Sequence, residues 1–346
     1  MKYPWANVLI LFLAGVGMAT GFLALTSDGS LTVVSLWVHR ISGYALIFLM
    51  AWKLQNILQP ILDKHLWSYS PLLHLASIGL LLLLFSALAL GAVWSTAGYF
   101  TYWGISGVSW HIYLSLLLLP LLLVHLRRHR RLLRPRYWAE RRTLIRTAGL
   151  AVAGFVLWRT VEVVADGLDL PGQDRRFTGS YERGSFSGND FPSTSWLNDK
   201  TPRVDSSQWR LQVKGRVARP LTYSYDDLLE MDTRLEATLD CTGGWYSTQE
   251  WQGASLRDIL EEAGPTSDAA SITVRSLTGY YRRFSLGEAA DYLLAVRVGG
   301  EVLEPRHGYP ARLVSPGKRG YDWVKWVDYI EVNDTSKWWQ PPLPIT

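Results

Sequence analysis

The run SPLLHLASIGLLLLLFSALALGAVW, Ser70 to Trp94, contains no charged residue. A bilayer core is crossed by about 20 helical residues, whereas a helix of this length in a soluble protein carries a polar face. Working outward, four more apolar stretches are long enough, and together they predict five spans near 5–25, 33–58, 70–95, 107–126 and 144–164. Trp5, Trp37, Trp67, Trp94, Trp103, Trp110 and Trp138 fall near the predicted ends, as an interfacial aromatic belt requires.

The charge is divided in the same way. Of the 346 residues, 1–165 carry 14 Lys+Arg against four acids (Asp28, Asp63, Glu140, Glu162), and 166–346 carry 21 against 26. The net +5 is therefore the sum of two unlike pieces. The excess base lies beside apolar spans, which excludes a nucleic-acid partner and makes the lipid bilayer the expected one. The single cysteine, Cys241, excludes a disulfide framework. The link 127–146 holds nine arginines against one Glu140. Basic loops stay in the cytoplasm, which predicts a cytoplasmic N-terminus and an extracytoplasmic C-terminal half, in the periplasm or at the cell exterior. Glu140-Arg-Arg-Thr-Leu-Ile-Arg146 is similar to a twin-arginine export signal and is equally an ordinary basic flank. No small-residue cleavage site follows, so a retained anchor is expected. The predicted division is a membrane domain 1–130, the basic loop and fifth span 131–167, a linker or extended arm 168–206, and a catalytic domain 207–346.

Ionisable groups inside a membrane are costly and usually functional. His39 lies in the second span, His74 in the third, and His111 and His125 in the fourth. The last two are separated by about 40° less than four turns and about 21 Å of rise, so they face one side at two depths. By topology His39 is level with His111 near the outer surface, and His74 with His125 near the inner one. Two bis-histidine pairs result, a pattern that suits axial ligation of haem. Individually each histidine is as well explained by hydrogen bonding, and His65 and His129 read as solvated loop residues. Arg40 either pairs with a haem propionate or snorkels to the surface. With WVHRISG (Trp37–Gly43) and WHIY (Trp110–Tyr113), the region over about 5–130 resembles the four-helix dihaem cytochrome b family. That resemblance implies two haem b groups and exchange with a membrane quinone or another carrier.

The C-terminal half reads as α+β with a largely antiparallel sheet. Trp209–Val217, Leu235–Cys241, Ser271–Leu277, Ala311–Ser315 and Trp323–Val332 read as strands. Ser224–Leu229, Ser255-Leu-Arg-Asp258 running to Gly264, and Ser285-Leu-Gly-Glu288 read as capped helices. Cys241 ends a strand. A lone cysteine is commonly a small buried hydrophobe, but Gly243 and Gly244 after it admit a close-approaching group, and a thiolate there is a good transition-metal ligand.

The string LDCTGGWYS (Leu239–Ser247), followed by WQGASL (Trp251–Leu256), HGYPARLVSPG (His307–Gly317) and VKW (Val324–Trp326), resembles the sulfite oxidase family of molybdopterin enzymes over about 205–333. The resemblance implies Mo-molybdopterin, with Cys241 on molybdenum and His307, Arg312 and Lys325 on the pterin and its phosphate; Lys318 and Arg319 are further candidates. Sulfite oxidases usually continue the cysteine loop with Asn and an Arg that helps bind sulfite. Gly244, Trp245 and Tyr246 stand here, which argues against sulfite. Trp245, Tyr246 and one of Tyr280 or Tyr281 are expected to line a pocket for a neutral small-molecule substrate such as a sulfoxide, with Tyr246 as the catalytic-site residue. After Val332 only Asn333–Thr346 remains, so no counterpart of the family's C-terminal dimerisation domain is expected. The expected whole is an all-α transmembrane bundle of five spans plus an α+β sulfite oxidase-like molybdopterin domain. The direction of electron flow stays open: the lean is to a reductase, by analogy with haem-coupled methionine-sulfoxide reductases of the superfamily. A dehydrogenase feeding electrons inward and a non-catalytic binding protein are the alternatives.

Overall fold

A computed structural model of the chain describes residues 4–62, 71–128, 134, 140–196 and 199–344. His65, Trp67, His129, Trp138 and most of the basic link lie outside the described residues. The chain divides into two compact units, Met1–Tyr181 and Glu182–Thr346.

In the first unit, α1 (Pro4–Thr26), α2 (Gly29–Leu62), α3 (Pro71–Ala97), α4 (Gly107–Arg128) and α5 (Arg141–Gly167) are each long and apolar enough to cross a membrane. Ala6, Leu9 and Leu13 of α1 pack on Ala45, Leu46 and Leu49 of α2. Gly154 lets α5 approach α2, since a Cβ there would sit 2.4 Å from the Ile41 carbonyl oxygen. A hairpin of β1 (Thr101–Tyr102) and β2 (Ile105–Ser106) joins α3 to α4, which pack side by side.

The expected linker 168–206 is divided between the units. Its first part is structured within the helical unit: a 3₁₀ turn at Pro171–Asp174 places Gly172 against the Ser95 carbonyl, and Trp94 Nε1 donates to the Gly179 carbonyl oxygen at 2.9 Å. Glu162 draws this segment in through Arg175 at 2.7 Å, and also meets Arg159 at 2.6 Å and Arg40 at 3.9 Å. Weak periodicity reads as a linker because the partners that order these residues lie far away in sequence.

The second unit is α+β. One sheet has the order β5 (Leu221–Ser224), β4 (Arg210–Gly215), β13 (Val327–Asn333), β8 (Ser271–Ser276), β9 (Tyr281–Ser285). Its pairs are antiparallel except β13 with β4. The other contains β11 (Glu301–Val302), β10 (Leu293–Val298), β7 (Trp245–Ser255) and β3 (Tyr181–Glu182) in line. In that sheet β12 (Arg312–Val314) also pairs with β10, and β6 (Thr233–Cys241) with β7. Alternating Leu211 and Val213, Ile272 and Val274, and Ile330 and Val332 fill the core together with Leu256 and Ile259. The predicted caps operate: Ser224 and Ser285 form capping boxes on α6 (Tyr225–Glu230) and α8 (Leu286–Ala289). Ser255 caps α7 (Leu256–Ala263), and Gly264 ends it at φ +64°. Strand β7, which the sequence reading leaves unassigned, buries Trp245, Ser247, Gln249, Trp251 and Gly253 on alternate positions. Its inward face is partly polar, so hydrophobic alternation does not reveal it.

Candidate active site

Cys241 is the last residue of β6, and the tight turn through Gly243 and Gly244 leads directly into β7. The strand register sets Trp245 across from Cys241 and Tyr246 across from Asp240. Strand side chains alternate, so Trp245 shares the face of the cysteine and Tyr246 takes the other one. The expected aromatic pocket is corrected accordingly. Tyr280 is buried with its hydroxyl donating to the Tyr321 carbonyl, and Tyr281 begins β9 in the other sheet; Trp245 is the one placed beside the sulfur. A Cβ on Gly243 would lie 3.4 Å from Cys241 Sγ and 3.8 Å from the Trp245 ring.

The sulfur accepts the Gly243 N–H at 3.3 Å. Burial raises the thiol above its usual range, opposed by Gly243, Thr194 and Arg319. Behind it Asp240 and Arg319 form a buried ion pair of 2.8 Å, and Gly320 packs on the backbone, where a Cβ would stand 3.1 Å from Cys241 Cα. Asp240→Ala would strand the Arg319 charge. A loss of about 3–5 kcal/mol is expected in chemical denaturation, while a change below about 1 kcal/mol would show that Arg319 finds water instead.

Arg312, 2% exposed, lies over Trp251 at 5.2 Å and Trp323 at 5.8 Å and donates from Nη1 to the His307 carbonyl oxygen at 3.0 Å. Burial pushes it down to about 9, against the pull of Cys241. His307 is fully buried against Phe191, with ring centroids 3.9 Å apart. Its Nε2 lies 2.9 Å from the Asn189 carbonyl oxygen, so Nε2 carries the proton and Nδ1 is an acceptor. Burial first, then Arg312, holds the ring down to about 3. Gly308, at φ +117°, lets this turn close on Arg312, whose Cβ would be 2.8 Å from a Cβ there.

Lys325 Nζ donates to Ser193 Oγ and the Arg306 carbonyl oxygen, each at 3.0 Å. Lys318, the further candidate for the pterin phosphate, donates from Nζ to Glu288 of α8 at 2.9 Å. The sequence reading misses Asn189, Phe191, Ser193 and Thr194, which the arm lays across these loops; no motif or periodicity marked them.

Burial, then Arg312, lowers Lys325 to about 7, while Cys241 and Asp199 oppose. An unfolded lysine keeps its proton to about pH 10. Between pH 7 and 10 the unfolded chain therefore binds more protons, and this group adds stability as pH rises. Cofactor-free protein is expected to gain melting temperature from pH 7 to 9, with Lys325→Met flattening the slope; an unchanged slope in the variant refutes the assignment.

A family model described as the oxidoreductase molybdopterin binding domain matches residues 198–339. The uncharacterized oxidoreductase YuiH of Bacillus subtilis is 31% identical over 142 residues, covering 39% of this chain and 71% of YuiH. The NADH nitrate reductase of Spinacia oleracea is 29% identical over 171 residues, and the chain spans only 18% of its length. Among solved structures, the sulfane dehydrogenase SoxCD of Paracoccus pantotrophus is 29% identical over 39% of this chain and 40% of that one, with a TM-score of 0.37. The chain belongs to the molybdopterin-binding oxidoreductases. It is an oxidoreductase enzyme, and the matched region lies within its C-terminal α+β unit.

The residues present fit Mo-molybdopterin. His307 Nδ1, Arg312 Nε and Arg319 Nε are buried and have no hydrogen-bond partner among the described residues. They supply one acceptor and two cationic donors, the set that a pterin N–H and anionic oxygens take up. Cys241 would be the protein ligand to the metal.

Proposed function

We propose that the enzyme is a membrane-bound molybdenum oxidoreductase that works on a small extracytoplasmic substrate. The cofactors would supply oxygen-atom transfer at molybdenum and one-electron relay through two b haems to or from a quinone or other carrier. The protein supplies ligands, orientation and charge. The favoured direction is reduction, of a neutral substrate such as a sulfoxide.

The observation that carries the relay is the pair His39 and His111. Their rings lie 5.8 Å apart at 87°. Each Nδ1 stands 2.8 Å from a backbone carbonyl oxygen, that of Gly17 for His39 and Ala87 for His111. Such an anchor sets the tautomer and leaves Nε2 as the ligating nitrogen. Gly21 and Gly91 border the two rings, where Cβ atoms would approach Cε1 to 3.1 and 3.4 Å. The donor set therefore fits one low-spin haem. His74, near the start of α3, and His125, near the end of α4, share the end of that helix pair away from its hairpin, as the second haem requires.

A bilayer around the helices is supported by their outward apolar side chains, among them Leu72 (81% exposed), Val124 (71%) and Val163 (65%). A soluble monomer rarely leaves so much apolar surface in water. The arginine-rich link argues for a cytoplasmic N-terminus and an extracytoplasmic catalytic unit.

The test is an optical spectrum of detergent-purified protein with elemental analysis. Two irons and one molybdenum per chain, with a reduced low-spin haem b band, are expected. Molybdenum without iron overturns the relay, and iron without molybdenum, from a host that makes the cofactor, overturns the catalytic reading.

A further inference from the structure

Arg40 follows His39 in α2, and its side chain is only 17% exposed, which argues against snorkelling. A guanidinium carries five N–H donors. Among the described residues Arg40 makes one hydrogen bond, from Nη2 to the Phe177 carbonyl oxygen at 3.4 Å. Glu162 stands 3.9 Å away, beyond hydrogen-bond reach. That carboxylate is already engaged by Arg175 at 2.7 Å and Arg159 at 2.6 Å. Arg175 also spends Nη1 on the Ser95 and Gly172 carbonyl oxygens, at 2.8 and 2.6 Å. One carboxylate thus faces three guanidiniums, and Arg40 is the buried one with donors to spare.

Helix α5 supplies a second idle donor beside it. Gly154 closes α5 onto the Ile41 carbonyl of α2. One turn further on, Trp158 is 4% exposed, with its ring 5.7 Å from the Arg40 guanidinium and 6.2 Å from the Trp37 ring. Its Nε1–H is buried and has no hydrogen-bond partner among the described residues. Orphaned buried donors are rare in native proteins, and an indole N–H can only donate. Unused donors on an arginine and an indole, with positive charge in excess, call for an anionic acceptor. The anion that a haem held at His39 would bring is its propionate.

We infer that Arg40 and the Trp158 N–H form a carboxylate site that takes a propionate of the outer haem. The inference rests on the haem reading of His39 and His111. The Phe177 carbonyl, on the segment that Arg175 ties to Ser95 and Glu162, holds the guanidinium in place. A cation at a propionate also opposes the extra positive charge of ferric iron, and so raises the haem potential.

The test titrates the full-length chain, made in a haem-starved host, with haem b and with its dimethyl ester. The ester keeps the ring and the iron but lacks the carboxylates. The outer site is read as the low-spin signal that His111→Leu abolishes. There the wild type is expected to bind haem b about tenfold more tightly than the ester. Arg40→Gln should bring that preference close to one. Trp158→Phe, which keeps an aromatic ring and drops the N–H, should reduce it by less, and Arg40→Lys should retain part of it. In a redox titration Arg40→Gln should also lower the ratio of ferrous to ferric outer haem about tenfold at fixed potential, a shift of about 59 mV for one electron. Equal binding of the two haems by the wild type, or an unchanged preference in Arg40→Gln or Trp158→Phe, overturns the inference, even where the midpoint falls. If Arg40→Gln takes up no haem, Trp158→Phe decides, and an unchanged preference there is the refuting result. A wild-type chain that binds no haem instead brings down the reading of His39 and His111, and the inference with it.

Discussion

Cys241→Ser is expected to bring turnover to background while leaving the haem spectrum and the fold intact. The expectation follows from the sulfur's surroundings. Cys241 is 8% exposed, accepts the Gly243 N–H at 3.3 Å, and is backed by the Asp240–Arg319 pair. A serine oxygen fits the same space but is a harder ligand and a stronger base, so on the proposed role it would neither match the soft thiolate nor reproduce its donation to the metal. The change adds no volume, so the unfolding free energy should move by less than about 1 kcal/mol. The checks are activity with the identified substrate, molybdenum content and the optical spectrum in parallel. Full turnover by the serine variant would sink the role of Cys241, and loss of haem as well would mean that the substitution acts on the fold.

On the proposed relay, His111→Leu is expected to remove one of two haems. The His39 and His111 rings are 5.8 Å apart, each anchored at Nδ1 by a carbonyl of a neighbouring helix. On the proposed relay, losing one imidazole would leave five-coordinate iron at best, and the low-spin signature of that haem would disappear. Iron per chain should fall from two to one, and the reduced haem band to about half its intensity, with molybdenum unchanged. His39→Leu should give the same spectrum, and His39→Leu with His111→Leu should add nothing further, because the two act as one site. Full iron content in either single variant would refute the pairing. His65→Leu serves as the control expected to leave both haems.

Much of this chain is legible in its sequence. The five apolar helices follow from composition and length alone. The caps at Ser224, Ser255 and Ser285 are local contacts over three residues, so their pattern reads directly. The cysteine and its glycines declare a close-approach loop for the same reason: the backbone freedom that the turn needs belongs to the residues themselves.

Other features required the tertiary structure. Tyr246 and Trp245 are neighbours in sequence, yet the register of β6 with β7 sends them to opposite faces. Lys318 and Arg319 are adjacent cations, but one is captured by Glu288 on α8 and the other by Asp240 at the site. The segment 168–196 carries no periodicity, and its order comes from distant partners: Ser95 and Glu162 for Arg175, Arg306 and Lys325 for Ser193. Hydropathy, helix caps and glycine turns are determined by residues close along the chain. Which face each side chain beside the cysteine takes is determined by strand register, and the arm is held by contacts more than a hundred residues apart, which local physics leaves open until the sheets close.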